Sequence, residues 1–130
     1  MTMKLTTQEK GNVIIVHTSG KLTLGDGSSA LREKMRKLIR AGFRRILLDM
    51  ADVTYIDSSG LGELVAAYTT VTNAGGEMKL LNLCKRIDDL LTITKLYTVF
   101  DTFEDEAWAL RSFSVDKEDD LQVRNQPFKI

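Results

Sequence analysis

Asp49-Met50-Ala51-Asp52-Val53-Thr54-Tyr55-Ile56-Asp57-Ser58-Ser59-Gly60-Leu61-Gly62 joins an apolar run, Ile46-Leu47-Leu48, to an amphipathic segment that opens on Asp-Ser-Ser-Gly. The run reads as a short buried strand over Ile46 to Met50, the residues after it as a polar descent, and the segment beyond as a helix. A helix start leaves backbone N–H groups unpaired, and small hydroxyl residues fit there because a serine oxygen can accept from them. The same N–H groups and the positive end of the helix dipole favour negative charge. A serine placed there can take a phosphate without the protein around it unfolding. On the residues alone, a helix cap with no further role explains the pattern equally well.

Working outward, the helix after the motif carries an inward stripe of Leu61, Leu64, Val65, Tyr68 and Val71 and stops at Asn73-Ala74-Gly75-Gly76. Met78 to Leu83 is the next expected strand, and Lys85 to about Thr94 a shorter helix with Ile87, Leu90 and Leu91 facing in. Tyr97 to Phe100 reads as a short final strand. Thr102 and Asp105 have the spacing of a capping box for a last helix, which is expected to bury Phe103, Ala107 and Leu110, with Trp108 as a further candidate.

Toward the N-terminus, Lys4 to Gln8 and Val13 to Thr18 flank the turn signal Lys10-Gly11-Asn12, which predicts a hairpin. Val13-Ile14-Ile15-Val16 is continuously apolar and β-branched, as expected of a strand covered on both faces. Ser28 is the expected cap of a helix with Leu31, Met35, Leu38 and Ile39 inward, Glu33 set to pair with Lys37, and Gly42 ending it. Its basic residues Arg32, Lys34, Arg36, Lys37 and Arg40 read as a solvated face, with an acidic partner as the alternative. Strands alternating with helices after a hairpin predict the α/β class: a mixed sheet of four to five strands with about four helices packed against it.

At 130 residues the chain is one ordinary domain with room for a core. A formal charge of zero gives no electrostatic reason to expect direct nucleic acid or an anionic membrane as partner. No stretch approaches the roughly 20 apolar residues of a membrane span, and Met1 to Leu5 does not begin a signal peptide; a cytoplasmic protein is expected. One cysteine, Cys84, and one histidine, His17, exclude an internal disulfide and a zinc cluster. Cys84 is expected as a small core residue at a strand end and His17 as a structural strand residue. From Ser114 to Ile130 apolar periodicity lapses around Asp116-Lys117-Glu118-Asp119-Asp120 and Pro127. A domain over 1–113 and a mobile extension over 114–130 are expected, with Leu121, Val123, Phe128 and Ile130 able to dock on the domain or on a second copy.

Ile56-Asp57-Ser58-Ser59-Gly60-Leu61-Gly62, following Ile46 to Asp49, closely resembles the signature of the STAS domain, specifically of the bacterial anti-sigma factor antagonists. The resemblance extends more loosely from about Lys4 to Phe113, through Gly20-Lys21-Leu22 and Gly75-Gly76-Glu77-Met78. It implies a STAS-like fold and a non-enzymatic binding module without a cofactor. In such proteins the hydroxyl residue directly after the Asp is phosphorylated by an anti-sigma factor that doubles as a serine kinase, and by position that residue is Ser58. Unphosphorylated, the protein would bind that kinase and free a sigma factor; phosphorylated, it would let go until a serine phosphatase restored it. The resemblance gives Asp57 the role of positioning the hydroxyl or recruiting the kinase, Ser59 and Gly60 that of shaping the cap, and Leu61 a place on the partner surface. Gly62 would let the helix be approached closely. Where family members often carry Glu-Leu-Asp, this chain has Lys21-Leu22-Thr23 before Leu24-Gly25-Asp26-Gly27. That loop is expected beside the serine and against the kinase, which adds Lys21 and Thr23 to the partner-binding set. A homodimer, and a non-switching scaffold in a signalling or transport-associated complex, stay open as alternatives.

Two enzymatic readings fail on the letters, and a third, a receiver domain phosphorylated on Asp49 or Asp57, is disfavoured although its α/β pattern is similar. A hydrolase elbow needs Gly two residues before the serine, where Ile56 and Asp57 stand. A phosphate loop ending on Gly20-Lys21 has Ile15 and Leu22 at its defining positions. A receiver domain needs an acidic pair after the first buried strand to hold magnesium, and Val13 to Val16 is followed by His17-Thr18.

Overall fold

Val13 to Val16 and Ile46 to Leu48 lie side by side near the centre of a sheet and are buried on both faces. In the computed structural model, which describes residues 3–113, these runs belong to β2 (Val13–Leu22) and β3 (Arg45–Ile56). The strand order is β1-β2-β3-β4-β5, with β1 at Lys4–Lys10, β4 at Glu77–Leu81 and β5 at Thr102–Phe103. The hairpin β1/β2 is antiparallel and every other pairing is parallel, so the sheet is mixed. The expectations for Ser114 to Ile130 lie outside the described residues.

Alternation along the strands divides the core in two. Ile14, Val16, Ile46, Leu48, Met78 and Leu80 face α1 (Asp26–Arg40), α2 (Ser58–Asn73) and α3 (Lys85–Ile93), which bury Leu31, Met35, Leu64, Val71, Ile87 and Leu91 against them. Val13, Ile15, Leu47 and Leu81 face the other way, onto Ala109 and Phe113 of the region around α4 (Glu106–Ser112). Lys79 anchors α4 there. Its ammonium donates to the Ser112 carbonyl at 2.9 Å and to the Ser112 hydroxyl at 3.0 Å, and lies over the Phe103 and Phe113 rings.

Several local expectations are corrected. Helix α1 starts at Asp26 behind Gly25, whose φ of 96° turns the chain; Ser28 is inside the first turn, and its hydroxyl donates to the Thr23 carbonyl at 2.9 Å. The ion pair on α1 is Arg32 with Glu63 of α2, not Glu33 with Lys37. Strand β4 ends at Leu81 because Asn82 takes the left-handed conformation (φ 60°), so half-buried Cys84 caps α3 instead of closing a strand. Tyr97 to Phe100 is not a strand. Lys95, at φ 63°, turns the chain into a 3-10 turn over Leu96–Thr98 that drops Phe100 into the core, edge-on to Tyr68. The last strand is Thr102–Phe103, and Asp105, not Thr102, caps α4 by accepting from the Trp108 N–H at 3.0 Å. Of the expected apolar residues, Ala107 and Trp108 are exposed; Ala109 and Phe113 are the buried ones.

Candidate functional site

Strand β3 runs well beyond the expected Met50. Its pairing with β4 ends at Asp49 and Leu81, whereas β2 and β3 stay paired as far as Leu22 and Ile56. Two strands therefore project past the rest of the sheet, with register shifts after His17 and Gly20 and a positive φ at Gly20. Val53 and Ile56 keep this projection anchored in the core. Its tip carries both the Asp57 motif and the glycine-rich loop, at the carboxyl ends of parallel strands where open α/β sheets commonly place their sites.

Asp57 is the true cap of α2. Its Oδ1 accepts from the Gly60 N–H at 2.8 Å, and its backbone carbonyl accepts from Leu61 at 2.9 Å. Oδ2 accepts from the Leu24 N–H at 3.2 Å, and the Asp57 N–H donates to the Leu22 carbonyl at 3.3 Å. One side chain thus binds the helix start and fixes the neighbouring loop. The Gly60 N–H holds the carboxyl below its ordinary value; lost hydration works against this, and the Leu24 N–H adds to it.

Ser58 is the first residue of α2 and is exposed, and its hydroxyl has no hydrogen-bond partner among the described residues. Ser59 and Leu61 are half-buried. Gly60 is buried, and a Cβ there would sit 2.0 Å from the Leu22 carbonyl oxygen, so only glycine lets α2 lie this close to β2. Gly62 is exposed, and a Cβ there would meet nothing. Lys21 is exposed opposite Tyr55, and Thr23 is half-buried with its carbonyl taken by Ser28. All eight residues singled out from the sequence therefore belong to this tip or to the first turns of the helix behind it.

Three neighbours were not singled out individually from the sequence, although Leu24 lies in the loop expected beside Ser58. Leu24 is 78 % exposed, Tyr55 presents its ring at the end of β3, and the Arg86 guanidinium lies over that ring, 4.3 Å from its centre. An apolar Leu24 inside a polar glycine-rich loop was the one readable signal. His17 sits in a polar network on the α4 side of the sheet, with Nδ1 2.7 Å from Asp49 Oδ2 and Nε2 3.1 Å from Gln8 Oε1. Asn82 donates to Asp49 Oδ1 at 3.3 Å, which completes a structural set with no nucleophile in it. Among the described residues there is no cluster of side chains that could hold a metal ion, and no helix long and apolar enough to cross a membrane.

The STAS domain model matches residues 4–109. The anti-sigma-B factor antagonist of Bacillus subtilis (strain 168) is 33% identical over 101 residues, which is 78% of this chain and 91% of that one. Among solved structures, an anti-sigma factor antagonist from Mycobacterium paratuberculosis matches with a TM-score of 0.76 at 18% identity, over 86% of this chain and 94% of its own. The Bacillus cell fate determinant SpoIIAA in its phosphorylated form matches with a TM-score of 0.65 at 17% identity, over 83% and 97%.

Proposed function

The chain belongs to the STAS domain family and, within it, to the bacterial anti-sigma factor antagonists, and we propose that it is a binding module whose hold on an anti-sigma factor serine kinase is set by phosphorylation of Ser58. Unmodified, it engages the kinase and so releases a sigma factor; phosphorylated, it lets go. The observation that carries this reading is the exposed, unpartnered hydroxyl of Ser58 on a helix start that Asp57 and Gly60 already hold rigid. That a member of the same fold was solved in a phosphorylated form supports it further.

In the transfer, the Ser58 oxygen forms a bond to the γ-phosphorus of ATP, the bond from that phosphorus to ADP breaks, and the hydroxyl proton passes to a base on the kinase. The partner binds the nucleotide, and this chain supplies only the acceptor. A serine phosphatase hydrolyses the new ester. The phosphate adds about −1.5 to −2 charges beside a carboxylate whose hydrogen bonds favour its ionised form. The free N–H groups of α2 ease its accommodation on the free protein. Against the partner, an unmatched buried charge costs several kcal/mol, and about 3 kcal/mol is already a hundredfold in affinity.

Titrating the kinase with Ser58→Ala and Ser58→Asp tests this. The alanine variant should bind like the unmodified protein, and the aspartate variant roughly a hundredfold more weakly. Equal binding of both would favour the non-switching scaffold instead.

A further inference from the structure

Five large apolar side chains are exposed among the described residues, and three of them, Leu24, Tyr55 and Ile93, are linked through Asp57 and Arg86. The links are specific. Leu24 is hydrogen-bonded to Asp57 beside Ser58, and Tyr55 is the last residue but one of β3, two residues before Asp57. Arg86 covers the Tyr55 ring, and Arg86, Leu90 and Ile93 line one shallow groove along α3. Lys21 is the register partner of Tyr55. Neither Lys21 nor Arg86 has a carboxylate partner among the described residues, whereas Asp89, at the same groove, is paired with Lys85. This set therefore combines apolar area with two uncompensated cations.

Resting on the reading above, we propose that the band from Leu24 through Tyr55 and Arg86 to Ile93 is the docking surface for the anti-sigma factor kinase, and that the kinase meets it with acidic side chains opposite Lys21 and Arg86. A kinase acting on Ser58 must cover the tip, and the band begins there. Exposed apolar clusters of this kind mark interfaces, and arginine and tyrosine are frequent anchors within them. The stacking of Arg86 on Tyr55 pre-orders both side chains, which lowers the entropy lost on binding. Charge complementarity selects an acidic partner surface and adds a salt-dependent gain in association rate.

The test uses the full chain and the kinase that phosphorylates it, with binding measured by titration at low and high salt. Lys21→Glu and Arg86→Glu should each weaken binding about tenfold or more at low salt, and less at high salt. Ile93→Ser should weaken it by a similar factor at both salt concentrations. Arg111→Glu, on the exposed side of α4, should stay within about twofold. Arg86→Gln removes the charge without reversing it and should give an intermediate loss if the partner is acidic. Circular dichroism of each variant establishes that it is folded. Unchanged binding of both charge reversals, with Ser58 still phosphorylated, would overturn the docking surface and leave the switch standing. Tighter binding of Arg86→Glu would also overturn it, because the partner surface would then be basic. No phosphorylation and no binding by the unaltered chain would remove both.

Discussion

Gly60 lies against the Leu22 carbonyl so closely that a Cβ would sit 2.0 Å from its oxygen, yet Gly62, two residues on and turned to the opposite side of the helix, opens onto empty space. Two glycines of one motif thus have opposite energetics. Gly60→Ala should destabilise the fold by about 1–3 kcal/mol, since α2 must move off β2. Gly62→Ala should stabilise it by up to about 1 kcal/mol, because alanine is the better helix former and nothing is in its way. Urea unfolding of the two variants measures both signs.

Asp57 predicts an acid-sensitive helix start. Its folded-state pKa is depressed by the Gly60 N–H, so its contribution is fully present above the unfolded-state value and is lost as pH falls through the folded-state value. Asp57→Asn should therefore unfold with a weaker pH dependence below about pH 4, while matching the parent dependence at neutral pH. Asp57→Ala, which also loses the acceptor for Gly60, should have a lower Tm than Asp57→Asn at pH 7. Thermal unfolding across this range by circular dichroism checks the order.

The central βαβ layout was legible because its signals are physical and local: Val13 to Val16 and Ile46 to Leu48 are too apolar for a one-sided strand, and they are buried on both faces. The helix after Asp57 was legible from its stripe, and Leu64 and Val71 are fully buried. What failed depended on tertiary partners. Ala51 to Tyr55 looked like a descent because exposed residues outnumber buried ones there, and only pairing with β2 makes them a strand. Tyr97 to Phe100 had strand composition, but a left-handed Lys95 set the local geometry. Ser58 could be singled out because its motif is contiguous; Arg86 could not, because its contact with Tyr55 spans distant parts of the chain.

Lys79 predicts how α4 is held. It is 8 % exposed, and its ammonium serves both the last turn of α4 and two aromatic rings. Lys79→Met keeps most of the buried volume but leaves the Ser112 carbonyl without its donor, at a cost of about 1–3 kcal/mol. Hydrogen exchange should rise over Glu106–Ser112 before it rises in α2, since Lys79 touches only the former.

The proposed switch rests on one hydroxyl group, that of Ser58. Intact-protein mass spectrometry of the chain, after incubation with ATP and each candidate serine kinase of its own genome, addresses it most directly, with Ser58→Ala alongside. A single added phosphate on the parent chain that is absent from Ser58→Ala is the predicted result. No phosphate on the folded parent with any of the kinases, or a phosphate that persists in Ser58→Ala, would contradict it.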